Sequence, residues 1–112
     1  PQHEGRTMPI IKAADGTITQ INVFATTPES QQALISILAE AAKFSSATNG
    51  WRSASLHRSL DGTKVANYAQ TDSLDAMKVV FERLSAAGFM QRTQKLGTAN
   101  PGLFEVVFTL ER

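Results

Sequence analysis

Apolar and polar positions repeat with two different periods along this chain, and each change of period marks an element. In residues 17–27, TITQINVFATT, the side chains of Ile21, Val23 and Ala25 fall on one side and those of Asn22, Phe24 and Thr26 on the other, the pattern of a strand. Thr27-Pro28 then reads as a helix start, a capping hydroxyl followed by proline at the first helical position. From there to about Ser46 the residues Leu34, Ile35, Leu38, Ala41 and Ala42 make one apolar stripe, and Asn49-Gly50 closes the helix. Strands are predicted at 51–59 and 63–71, joined by a three-residue hairpin loop, Leu60-Asp61-Gly62, with Gly62 at the position that needs positive φ. Asp72-Ser73-Leu74-Asp75 resembles a capping box, and Leu74, Met77, Phe81 and Leu84 give the second helix its stripe. Gly88 ends it, and FMQRTQKLG adds a further helical turn or two. The last strand is predicted at 103–111, with Phe104, Val106, Phe108 and Leu110 on one side. Ahead of all this, residues 1–9 read as an N-terminal extension, and IIKAADG as a short edge strand ending in an Asp15-Gly16 turn.

The order β-α-β-β-α-β predicts an α+β fold of the ferredoxin-like type, one domain over residues 1–112 with both helices on one face of an antiparallel sheet. Yet the strands carry apolar side chains on both sides, Val23 beside Phe24 and Val107 beside Phe108. A bare apolar sheet face calls for a partner, and a homodimer packing two sheets face to face would cover it.

Composition narrows the chemistry. With 11 basic and 10 acidic residues the net charge is +1, which provides no electrostatic footprint for nucleic acid or an anionic membrane. There is no cysteine, which excludes disulfides and thiolate chemistry, and only two histidines, His3 and His57, so no multi-histidine metal site is expected. No apolar run is long enough to cross a membrane and no signal peptide is visible; the cytoplasm is the default location.

The central hairpin holds the residues with most chemical content. A loop of residues 60–62 pairs Ser59 with Thr63, His57 with Val65 and Ser55 with Asn67. Trp51, Ser53, Ser55 and His57 would then share a face with Val65, Asn67, Ala69 and Thr71; a two-residue loop would slip the register and separate His57 from Asn67. A large ring, small side chains and two convergent polar groups are the makings of a ligand pocket. The plain alternative is that both polar residues are satisfied core or surface groups.

The segment GWRSASLHRSLDGTKVANYAQTDSLDAM, and SLDGTKVANYAQ above all, resembles the antibiotic biosynthesis monooxygenase family, over roughly residues 9–110. The resemblance implies a dimeric α/β barrel. It implies oxidation of a small aromatic substrate, a phenol or anthrone, to a quinone with O2, and no cofactor, whether metal, flavin or haem. Asn67 matches the asparagine that binds the substrate oxygen, and His57 a pocket histidine. The chain departs from the family at Thr71, where a tryptophan is usual, at Met77, where an aromatic is common, and at GFMQR, where relatives carry PHMRE. There the histidine becomes Phe89 and the pocket arginine becomes Gln91, with Arg92 one place on. In such a site His57 would act as base, the Asn67 amide would donate to the anionic oxygen, and Trp51, Phe24, Met77, Phe81 and Phe89 would wall a slot for a flat ring system. Two other functions remain open: a binding module that has lost the chemistry, favoured by Thr71 and Gln91, and haem degradation. The latter would want an axial ligand from the second helix, and no histidine lies beyond Ser73.

Overall fold

The computed structural model describes residue 11 and residues 15–112. Its elements are β1 (Ile18–Ala25), α1 (Pro28–Ser45), β2 (Trp51–Arg58), β3 (Lys64–Thr71), α2 (Leu74–Ala86), α3 (Phe89–Gln94) and β4 (Pro101–Phe104). The strands form one antiparallel sheet in the order β2-β3-β1-β4. This is the expected ferredoxin-like arrangement, with the two long helices packed on one face. The residues before Asp15 that were expected to form the extension and the edge strand lie outside the described residues, Ile11 apart. Of that stretch, Asp15 and Gly16 do make a bend, in which Asp15 Oδ1 accepts from the Thr17 N–H.

Both helix starts follow from single side chains. Thr27 Oγ1 accepts from Ser30 N–H at the head of α1, and Ser73 Oγ from Ala76 N–H at the head of α2. The α1 stripe buries Leu34, Leu38 and Ala41 against the sheet, and Phe24, Leu34, Leu38 and Val65 form the core cluster. Truncating Leu34 in such a core costs about 2–5 kcal/mol. On α2, Met77 and Val80 are buried, while Leu74, expected on the stripe, is exposed at the first turn.

The hairpin departs from the expected register. Arg58 pairs with Val65, His57 with Ala66 and Leu56 with Asn67. The loop therefore takes in Thr63 as well as residues 60–62, and Ser59 N–H donates to Lys64 O. The cause is Asp61, whose Oδ1 accepts from both the Thr63 N–H and the Thr63 hydroxyl and draws that residue out of the strand. Ser59 Oγ meanwhile accepts from Lys64 N–H and donates to Asp61. Gly62 takes positive φ (82°), as its place in the turn requires.

A one-residue slip moves every side chain to the opposite face. Near the far end of β2 the slip is undone. Trp51 pairs with Thr71 and Ser53 with Gln70, so Arg52 is an extra, bulged residue. Its guanidinium reaches Thr17, Asp15 and Asp72 and ties the entry to β1 to the head of α2.

The last strand is also shorter than expected. β4 ends at Phe104, opposite Thr19, and residues 105–112 have no regular structure. The reason is geometric: β1 starts at Ile18, so beyond Phe104 an antiparallel neighbour runs off the end of its partner. Val107, Phe108 and Leu110 are 86%, 73% and 85% exposed, and they do not share a strand face with Phe104.

Candidate functional site

Between the sheet and the helices lie two adjoining spaces of ≈ 40 and ≈ 60 Å³. Gln20, Leu38, Ala41, Asn67 and Leu84 border both, so the two spaces form one constricted slot with Asn67 at its middle. Trp51, Thr71 and Met77 line one end, and Phe24, Phe81, Phe89, Met90 and Thr93 the other. All five expected wall residues, and Thr71 with them, are thus gathered around Asn67. Trp51 keeps its place only because the bulge at Arg52 restores the face that the hairpin slip had exchanged.

Two expected site residues are not there. His57 lies opposite Ala66 on the sheet face away from the helices, exposed, with its Nε2 3.0 Å from Ser55 Oγ. The expectation that imidazole and carboxamide converge is therefore overturned by the four-residue loop. Gln91 is exposed on α3 and borders neither space. Arg92, one place on, turns to α1 and forms a two-pronged ion pair with Glu40 at 2.9 and 3.1 Å while its guanidinium covers the Phe89 ring. Among the described residues no charged side chain replaces it: none of those on the lining is Asp, Glu, Lys, Arg or His.

The polar content of the slot is a set of amides. Among the described residues Asn67 Oδ1 is buried without a hydrogen-bond partner, an arrangement that costs free energy unless something else occupies it. Asn22 is the direct cross-strand partner of Asn67 and was missed by sequence reasoning. Its Oδ1 accepts from Asn100 N–H at 3.0 Å, which leaves the NH2 as its free end at the second space. The signal was available in the alternation of β1, which sets Asn22 beside Phe24 on the helix side. Gln20, two residues earlier on the same side, was missed for the same reason.

Chemically, the slot offers neutral donors and acceptors inside apolar walls. Its volume is small. A cavity of about 150 Å³ accepts one benzene, so a ring ligand enters only if the walls give. α3, six residues long and preceded by Gly88, brings Phe89 and Met90 to the second space.

No family model matches the chain, and no curated protein matches it. Solved structures do. SnoaB, a cofactor-independent oxygenase from Streptomyces nogalater, superposes with a TM-score of 0.76 at 23% identity, over 87% of this chain and 99% of that one. The fold is that of these oxygenases. A monooxygenase from the ActVA-Orf6 gene of Streptomyces coelicolor, solved with nanaomycin D, matches at 23% identity over 87% of this chain and 92% of that one, with a TM-score of 0.73. A Nitrosomonas europaea protein provisionally described as an antibiotic biosynthesis monooxygenase matches at 9% identity over 88% and 97%, with a TM-score of 0.74. The resemblance read from the hairpin sequence holds at the level of architecture. Among the described residues no helix is long and apolar enough to cross a membrane.

Proposed function

We propose that this chain is a cofactor-independent monooxygenase of the antibiotic biosynthesis type, which oxidises an uncharged phenol- or anthrone-type ring compound with O2. The observation that carries the reading is the buried, unpartnered Asn67 Oδ1 at the centre of the slot. A substrate hydroxyl would satisfy it, and once that hydroxyl has ionised, the turned carboxamide would donate its NH2 to the resulting oxyanion. Asn22 would add a second NH2 from across the ladder. The substrate supplies the electrons: its enolate passes one to O2, the radical pair combines as a peroxide at the ring carbon, and loss of water leaves the carbonyl. The sum is CH2 + O2 → C=O + H2O. Among the described lining residues none is titratable, so on this reading the proton would leave by way of water and the substrate's own acidity would set how readily it goes.

The test is to incubate the protein with an anthrone in air and follow the quinone absorbance. Wild type should exceed the uncatalysed rate, and Asn67→Ala should lose about 10²–10³ of kcat, the usual effect of removing one oxyanion donor. The neutral slot equally favours a second reading, a binding module that holds such a ring without oxidising it; binding in calorimetry without turnover would establish that one.

The same reading makes the chain half of a symmetric homodimer. The exposed Val107, Phe108 and Leu110 and the sheet face without helices support this, since a second copy would cover both. Sedimentation should then give a dimer for residues 1–112 and a monomer for a chain ending at Phe104; a monomer for the full chain would refute it.

A further inference from the structure

We infer that Gln20 is a specificity-determining residue of the slot, a second neutral anchor that selects ring ligands bearing two oxygen functions. The inference rests on the reading that the slot binds such ligands, and extends it by naming the substrate class.

Gln20 sits in the interior of β1 and is 6% exposed. Such a position ordinarily takes an apolar residue, because an amide removed from water needs a partner. Three other buried amides have one. Asn22 holds Asn100 N–H, Gln31 donates to the carbonyls of Ser59 and Lys64, and Gln70 donates to Thr19 Oγ1. Gln20 makes no side-chain hydrogen bond to a described residue, a condition it shares with the Asn67 Oδ1.

Its surroundings leave the amide free to work on a ligand. Its cross-strand partner is Ala69, which has no polar group to offer. It stands diagonal to Asn67, two pairs along the β1–β3 ladder and so on the same face, and both residues border both spaces. A flat ligand spanning the slot therefore passes between two carboxamides set apart along the sheet. Each can donate or accept. Two neutral amides suit a pair of hydroxyl or carbonyl oxygens on different ring positions. With no cation among the described lining residues, a carboxylate would be stripped of water without compensation.

Anaerobic calorimetry on the full chain tests this with three probes: 1-naphthol, 1,5-dihydroxynaphthalene and 1-naphthoate. Wild type should bind the diol about tenfold more tightly than 1-naphthol, and bind the naphthoate not at all. Gln20→Leu, with Gln20→Met as the variant closer in shape, should raise the Kd of the diol about tenfold, leave that of 1-naphthol unchanged and leave the melting temperature at or above wild type. A preference for the diol that survives both substitutions overturns the inference, as does a fall in melting temperature with equal loss of both ligands, or failure of both variants to fold. Aerobic turnover separates the two levels. A Gln20-dependent preference without oxidation refutes the oxygenase alone; oxidation without that preference refutes the role of Gln20 alone. Binding of no probe refutes both.

Discussion

Asn22 and Asn67 stand directly opposite each other on β1 and β3, yet only Asn22 is held, through its bond to Asn100 N–H. The two substitutions should therefore separate stability from binding. Asn22→Ala strands a backbone donor in the loop leading into β4 and should cost about 1–3 kcal/mol in urea unfolding. Asn67→Ala breaks no side-chain hydrogen bond among the described residues and should stay within about 1 kcal/mol of wild type. The opposite ranking would mean that Asn67 is engaged in the folded chain.

Asp61 should make the hairpin acid-sensitive. Hydrogen bonds from the Thr63 N–H, then the Thr63 hydroxyl and Ser59, hold its carboxyl at about 2, below the ordinary 3.8. A depressed folded-state pKa adds stability that is complete above the unfolded value and is lost as pH falls toward the folded one. Melting curves taken between pH 5 and pH 2 should show Asp61→Asn less stable than wild type at the upper end, with the gap closing at the lower end. A gap that persists at pH 2 would show that the charge is not what matters.

His57 should be dispensable for chemistry. It lies on the far face of the sheet, with Ser55 as its neighbour. His57→Ala should leave ligand affinity and any oxidation rate unchanged across neutral pH. A loss of about 10²-fold or more, the usual contribution of a general base, would place the imidazole at a reacting centre after all.

Gly50 fixes how α2 meets the sheet. Its φ is 88°, and a Cβ there would stand 2.7 Å from the Ala76 Cβ. Its carbonyl also accepts from Asp72 N–H at 2.7 Å, just ahead of α2. Gly50→Ala thus combines a left-handed backbone cost with overpacking, together about 2–4 kcal/mol in chemical denaturation. A cost well under 1 kcal/mol would mean that the head of α2 moves freely.

Local signals carried most of the architecture. Thr27-Pro28, Ser73 and the stripe of Leu34, Leu38 and Ala41 each name their element because the interaction involved spans only a few residues. The site was legible in part for the same reason: alternation within one strand puts Asn67, Ala69 and Thr71 together whatever lies alongside. Which neighbours they meet depends on the turn. There Gly62 was read correctly, but the reach of the Asp61 side chain to Thr63 was not, and that single contact moved His57 across the sheet. Asn22 and Gln20 share the Phe24 side by the alternation of β1 alone; only their placing opposite Asn67 and Ala69 needed the β1–β3 pairing, a long-range fact. The end of β4 needed the point at which β1 begins.

The bulge at Arg52 divides β2 into two lengths that answer to different constraints. The Trp51 end is pinned by Thr71, whereas the Leu56–Arg58 end follows the turn. Confining the turn to residues 60–62, with Thr63 returned to the strand opposite Ser59, would rotate only the latter, bringing imidazole round to the helices and leaving the indole in place. Whether this chamber contains an ionisable group is thus governed by the length of a surface turn, far cheaper for evolution or for a protein engineer to alter than the packed interior.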